Sequence, residues 1–289
     1  MNSLYIILTG SLVAASCALL GCYLVLRKMA LIGDAISHAV LPGIVIAYLI
    51  SGSRDSLVMI VGAGSIGLLT TFLIEFLHRK ARLQEDASIG VIFTTLFALG
   101  VILISYYAEN IDLDQDCVLY GEIALVPLDT WVLSGVDIGP RVMWIGLFVF
   151  VVIIIFIGLG YKELFLTTFD TPYAASIGIS VTLWHYVLMG MVSFTTVASF
   201  EAVGAILVVA FLVAPAATAY LLTDNFNKML LIAVLVGIIA AIGGYFLASW
   251  IDASIAGGMT ATVGLEFLLV LLFSPSQGVL MKNLRTKTS

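Results

Sequence analysis

Residues 141–161, RVMWIGLFVFVVIIIFIGLGY, decide the fold class of this chain. Between Arg141 and Lys162 there is no charged side chain. A helix needs about 20 apolar residues to cross the hydrocarbon core of a bilayer. Because a helix satisfies its backbone hydrogen bonds within one segment, it is the expected structure in lipid. The stretch therefore predicts a transmembrane helix.

The rest of the chain has the same character. Of its 289 residues, 62% are hydrophobic and 10% are charged, whereas soluble domains carry about 25% charged residues. We therefore predict an all-α polytopic membrane protein of about nine transmembrane helices. A count of eight or ten stays open, since one apolar segment can be re-entrant. The predicted spans are 4–26, 33–50, 57–77, 87–107, 141–161, 182–200, 203–222, 228–250 and 258–275.

The basic residues predict the orientation, because short cytoplasmic loops carry an excess of Lys and Arg. With the N-terminus outside and nine spans, ten of the twelve basic residues fall on the cytoplasmic side. Only Arg54 and Arg141 remain outside, together with the acidic stretch 108–116. We therefore expect an external N-terminus and a cytoplasmic C-terminus.

Several function classes are disfavoured by composition and motifs. Eighteen acidic residues outnumber twelve basic ones, which argues against nucleic-acid binding. No Walker A sequence is present, so this chain cannot hydrolyse ATP by that route. The glycines of residues 62–67, GAGSIG, match GxGxxG, but they lie inside a predicted span and indicate close helix packing. No catalytic residues are assigned.

A polar pair begins the second span, in GDAISHAVLPG at residues 33–43. Asp34 and His38 are four residues apart, which places both side chains on one face of a helix. Carboxylate and imidazole together suit Mn²⁺, Fe²⁺ and Zn²⁺. The alternative is that Asp34 caps the helix and His38 packs against a neighbour. Pro42 and Gly43 follow and predict a kink in the helix where it lines a pathway.

Other ionisable residues give weaker signals. Glu266 lies in the middle of the last span, where such a residue is a candidate for function, and a structural role is equally compatible with the sequence. Glu75 lies near a span end and is interpreted as interfacial, and His185 is interpreted as structural.

Three stretches resemble the permease subunits of metal-ion ABC importers, the manganese, zinc and iron family. They are LRKMALIGDAISHAVLPGIVIAYL at 26–49, LYGEIALV at 119–126, and FDTPYAASIGISVTLWHYVL at 169–188 continued by 201–223. The resemblance implies a single permease domain over residues 1–289, with an architecture similar to that of the cobalamin importers. In that family the residues that correspond to Asp34 and His38 line the pathway and bind the metal.

The resemblance also implies a cytoplasmic coupling segment at about 165–180 that docks on the ATPase. Its positions are Phe169, Asp170, Thr171, Pro172, Tyr173, Ala174 and Gly178. The implied partners are two ATPase subunits, a second permease copy or paralogue, an extracytoplasmic metal-binding protein and membrane lipid. The expected location is the cell membrane of a bacterium.

The form DAISHAVLPG is more similar to the manganese branch than to the zinc branch. Mn²⁺ is therefore the favoured cargo, followed by Zn²⁺ and Fe²⁺, and no permanently bound cofactor is expected. The expected mechanism is alternating access driven by the ATPase. The alternatives are a permease for a metal chelate or haem, an intramembrane metalloenzyme, and a membrane scaffold without transport.

Overall fold

The structure is a computed structural model that describes residues 2–51, 56–107, 123–133 and 136–274. Four features of the sequence therefore lie wholly or partly outside the described residues. They are Arg54, the acidic stretch 108–116, the beginning of the 119–126 motif and the basic tail 281–289.

The described chain is a bundle of long apolar helices, as the hydropathy predicts. Nine of its helical segments are long and apolar enough to cross a membrane. The nine predicted spans correspond to these segments, so the all-α polytopic fold is confirmed. The helices are α1 (Asn2–Leu26), α2 (Leu31–Ala39), α3 (Leu41–Ser51), α4 (Ser56–Ala81), α5 (Glu85–Tyr107), α6 (Arg141–Leu159), α7 (Tyr161–Phe169), α8 (Thr171–Ser176), α9 (Val181–Leu222), α10 (Phe226–Ile251) and α11 (Ile255–Phe273).

Helix α9 contains two of these spans, Val181–Phe200 and Ala202–Leu222. The helical backbone is broken at Gly204, just inside the second of them, where φ is 76° and ψ is 166°. A positive φ is costly for residues with a Cβ atom but not for glycine. The break at Gly204 therefore lies near the junction of the sixth and seventh spans, close to the turn that the sequence predicts.

A small antiparallel hairpin precedes α6 and was not predicted from the sequence. Strand β1 (Thr130–Leu133) pairs with β2 (Val136–Pro140), and a 3₁₀ helix at Ile123–Leu128 comes before them. A hairpin this short has too few residues to show a periodicity.

Glycines set the closest approaches between helices. A Cβ atom at Gly21 of α1 would collide with the carbonyl oxygen of Leu212 in α9. A Cβ atom at Gly62 of α4 would lie 2.5 Å from Cβ of Ala47 and 2.6 Å from the carbonyl oxygen of Gly43, both in α3. Gly62 therefore serves helix packing, as its position inside a span predicts.

Contacts between helix ends gather several basic segments at one end of the bundle, which we call the basic end. Arg27, just after α1, donates hydrogen bonds to Thr167 and Thr168 of α7. The Tyr161 hydroxyl bonds Oδ1 of Asn227, next to Lys228 in α10. The basic residues that follow α1 and the one in the first turn of α10 thus lie on one side. Which membrane face this is stays a prediction.

Candidate metal site and coupling segment

Asp34 and His38 lie together on α2, as their spacing predicts. Oδ1 of Asp34 is 3.5 Å from Nε2 of His38, and the two side chains are 47% and 30% exposed. Two ligand atoms about 2.1 Å from one ion lie about 3.0 Å apart at an octahedral angle and about 3.4 Å apart at a tetrahedral angle. A direct N–H···O hydrogen bond is shorter, about 2.7–3.2 Å. The pair is therefore spaced for a shared ion.

The alternative role of Asp34 as a helix cap does not match the structure. Helix α2 begins at Leu31 with Ala30 in the capping position, and Asp34 is the fourth residue of the helix. A carboxylate this close to a helix N-terminus is still stabilised by the helix dipole. Its side chain therefore remains available to a ligand.

The helical backbone is interrupted between His38 and the predicted kink. Val40 alone separates α2 from α3, and Pro42 is the second residue of α3. Proline has no N–H, so Pro42 cannot donate to the backbone carbonyl of His38, four residues earlier. Gly43 packs against Gly62 of α4. A function of Pro42 and Gly43 in the pathway stays a prediction.

Aromatic rings of α5 position the imidazole of His38. Its ring centroid lies 5.5 Å from that of Phe93 and 6.0 Å from that of Phe97. These contacts restrict the ring and give its surroundings a low polarity on one side. The pair thus has a fixed imidazole and a more exposed carboxylate.

The site is open. Among the residues that the structure describes, no three His, Cys, Asp or Glu side chains come together as a metal site. A structural zinc site uses four protein ligands, whereas a transport site has to release its ion. Two ligands from this chain, completed by water or by another subunit, suit passage of an ion.

The coupling segment forms a short helix with a well-defined start. Asp170 precedes α8, and its Oδ1 accepts a hydrogen bond of 3.0 Å from the backbone N–H of Tyr173. Thr171 is the first residue of α8 and Pro172 the second. Acidic N-caps and early prolines are both favourable at a helix start.

Gly178 ends the same helix. The N–H of Gly178 bonds the carbonyl of Ala175 at 3.2 Å, and the N–H of Ile179 bonds the carbonyl of Ala174 at 3.0 Å. This is a Schellman motif, which needs a left-handed residue at the position of Gly178, where φ is 88°. Gly178 therefore sets the direction in which the chain enters α9.

The coupling segment presents an apolar outer surface. Phe169, Tyr173 and Ile177 are each about half exposed, while Ala174 is fully buried. Phe169 also contacts Phe165 and Phe226 through ring centroid distances of 4.7 and 5.6 Å. The segment is thus anchored on one side and offers large apolar side chains on the other.

Arg27 connects α7, which precedes the coupling helix α8, to the loop before α2. Its Nε donates to Oγ1 of Thr168 at 3.1 Å and its Nη2 donates to Oγ1 of Thr167 at 2.9 Å. Burial lowers the pKa of the Arg27 guanidinium from its ordinary value, and the nearby Tyr23 opposes that shift. Arg27 begins the short loop that leads into α2, so the segment before the coupling helix is tied to the helix of Asp34 and His38.

A second carboxylate–imidazole pair was missed from the sequence. Oε2 of Glu75 in α4 lies 3.2 Å from Nε2 of His185 in α9, and the side chains are only 10% and 14% exposed. The interpretation of Glu75 as interfacial is therefore incomplete. The two residues are far apart in the sequence, so their pairing has no local signal.

Glu266 lies in α11 and is half-buried. Its Oε2 atom is buried without a hydrogen-bond partner in the part of the chain that the structure describes. Glu266 lies on a different helix from either carboxylate–imidazole pair. Its role stays a prediction.

The helical bundle defines a polytopic membrane protein. Residues 3–274 match the family model described as the ABC 3 transport family. The chain therefore belongs to that family and is a membrane-spanning transport subunit, with ATP hydrolysis in a separate subunit.

Individual relatives cover nearly the whole chain. The manganese transport system membrane protein MntD of Bacillus subtilis (strain 168) is 51% identical, over 98% of this chain and 95% of the relative. The zinc transport system membrane protein TroD of Treponema pallidum (strain Nichols) is 43% identical, over 96% of this chain and 76% of the relative.

A solved structure has the same fold. PsaBC from Streptococcus pneumoniae in complex with Fab matches with a TM-score of 0.79 and 29% identity, covering 98% of this chain and 94% of that one.

Proposed function

We propose that this chain forms the membrane pathway of an ATP-driven importer for a divalent transition-metal cation. Mn²⁺ is the preferred cargo, followed by Zn²⁺ and Fe²⁺. The observation that carries the proposal is the 3.5 Å separation of Asp34 and His38 on one helix face. Relatives named as manganese and zinc transport proteins support the cargo class.

Asp34 and His38 bind the cation through a carboxylate oxygen and an imidazole nitrogen. An ionised carboxylate and a neutral imidazole are needed, so protons compete with the metal. Because Mn²⁺ binds more weakly than Zn²⁺ at a generic site, selection for Mn²⁺ requires geometry and a selective extracytoplasmic binding protein upstream.

The complete transporter consists of two permease chains, two ATPase subunits and that binding protein, located in a bacterial cell membrane. Residues 1–289 act as one permease domain, with the N-terminus outside and the C-terminus in the cytoplasm. The coupling segment at about 165–180 docks on the ATPase through Phe169 and Tyr173. ATP binding and hydrolysis then move α8 and expose the cation to the other side.

Uptake of radioactive Mn²⁺ into proteoliposomes that contain the permease and its ATPase tests the metal site. The double variant Asp34→Asn/His38→Gln should reduce uptake on the order of 100-fold. Removal of an outer-shell partner alone already causes losses of up to about this size at metal sites. Asp252→Asn is the matched control, because Asp252 is exposed and has a left-handed backbone that asparagine tolerates. Full uptake by the double variant would refute the site.

The same vesicles test cargo and mechanism. Unlabelled Mn²⁺ should compete best, then Zn²⁺, then Fe²⁺, and uptake should require ATP. Tyr173→Ala should lower both ATPase association and uptake about tenfold, because it removes a central apolar contact. An unchanged association constant would contradict the docking role of this side chain.

A further inference from the structure

A cavity at the basic end lies beside the second pair. It has a volume of about 260 Å³ and is lined by Met29, Ile32, Thr71, Ile74, Glu75, His78 and His185. A water molecule occupies about 30 Å³ in the liquid. The cavity thus has room for a cation together with several of its water ligands.

Helix α4 contributes a polar face to this cavity. Thr71, Glu75 and His78 follow one another at intervals of four and three residues, so they project from the same side of the helix. The Thr71 hydroxyl donates to the carbonyl of Gly67. Among the described residues that line the cavity, Glu75 is the one that carries a carboxylate.

The opposite wall comes from α9. Nε2 of His185 is 3.2 Å from Oε2 of Glu75. This distance allows a direct hydrogen bond, and it also falls between the octahedral and tetrahedral separations of about 3.0 and 3.4 Å for two atoms on one ion. Both side chains are nearly buried. An ion there would be held by two different helices in surroundings of low polarity.

His78 also lines the cavity. Its Nδ1 lies 2.8 Å from the carbonyl of Leu83, a distance that suits an Nδ1–H donor and leaves Nε2 with its lone pair. Metal-binding histidines commonly use such a second-shell carbonyl. In the described part of the chain His78 does not form a three-ligand group with the pair.

We infer that Glu75 and His185 form a second binding site for a divalent transition-metal cation, separate from Asp34 and His38. The inference rests on the proposed function for the class of cation. His185 is in the second turn of α9, the helix that follows the coupling segment. A cation at this site would therefore link α4 to α9.

The test counts Mn²⁺ bound to the full chain in lipid nanodiscs, with free Mn²⁺ measured by its electron paramagnetic resonance signal. Glu75→Gln/His185→Gln should lose about one bound Mn²⁺ per chain. The control variant Glu266→Gln changes a half-buried carboxylate on another helix and should lose none. An unchanged count in the double variant overturns the inference, and a change in thermal stability alone identifies a purely structural pair.

A second measurement identifies the ligand atoms by spectroscopy. The chain has three histidines, so the Asp34→Asn/His38→Gln variant retains only His78 and His185. Mn²⁺ bound to it should show nitrogen coupling in pulsed spectra, which His185→Gln removes and His78→Gln keeps. Absence of bound Mn²⁺, or coupling that survives His185→Gln, overturns the inference. Full uptake by Asp34→Asn/His38→Gln would refute the site at Asp34 and His38 and would leave the inference about Glu75 and His185 standing.

Discussion

Two carboxylate–imidazole pairs in this chain differ in the way they are built. Asp34 and His38 lie on one helix, are partly exposed and are 3.5 Å apart. Glu75 and His185 belong to two helices, are nearly buried and are 3.2 Å apart. The same two functional groups therefore occur once as an open local pair and once as a closed contact between helices.

The exposure of such a pair decides how much it contributes to the stability of the fold and how readily it can bind another partner. An exposed ion pair contributes about 0–1 kcal/mol to folding, so the Asp34–His38 pair is free to exchange partners with a passing ion. Loss of one partner from a buried pair is expensive because the other polar group remains buried. The Glu75–His185 pair therefore holds helices together as well as offering ligands.

The largest expected contrast is in stability. Glu75→Ala should lower the free energy of unfolding by about 3 kcal/mol, because it leaves His185 buried without this carboxylate. Asp34→Ala should change it by less than about 1 kcal/mol. Thermal unfolding of the two detergent-solubilised variants measures the contrast. Equal shifts would remove the distinction between the pairs.

A smaller effect is expected at the helix contact between the two regions. Gly62→Ala should cost about 1–3 kcal/mol, since its Cβ atom would overlap Ala47 and the carbonyl oxygen of Gly43. Gly64→Ala is the matched control on the same helix, because a Cβ atom there has no neighbour within 4 Å. If Gly64→Ala destabilised the protein as much, helix propensity and not packing would explain the loss.

The smallest effect is expected at the cap of the coupling helix. Asp170→Ala should cost about 1 kcal/mol of local helix stability and loosen α8. Hydrogen exchange of the Tyr173 amide, which bonds Oδ1 of Asp170, measures the change directly. Asp170→Asn retains an acceptor and should behave like the parent chain. Exchange that increases equally in both variants would contradict the capping role.

The sequence predicted those parts of the site whose signal is local. Spacing placed Asp34 and His38 on one helix face. The resemblance at 169–188 implied a coupling segment, whose docking role stays a prediction. The sequence could not show that Ala30, and not Asp34, occupies the capping position of α2, since that depends on where the helix begins. It also gave no indication of the hairpin Thr130–Pro140, which is too short for a periodic pattern.

What the sequence determined by itself is the number and placement of the spans, because each apolar run has to satisfy its own backbone hydrogen bonds within the membrane. That requirement acts within one segment and is visible as composition. Only the tertiary structure decided that Glu75 faces His185 and that Arg27 binds Thr167 and Thr168. These contacts depend on how helices pack side by side, and helices far apart in the chain meet only once the bundle is assembled.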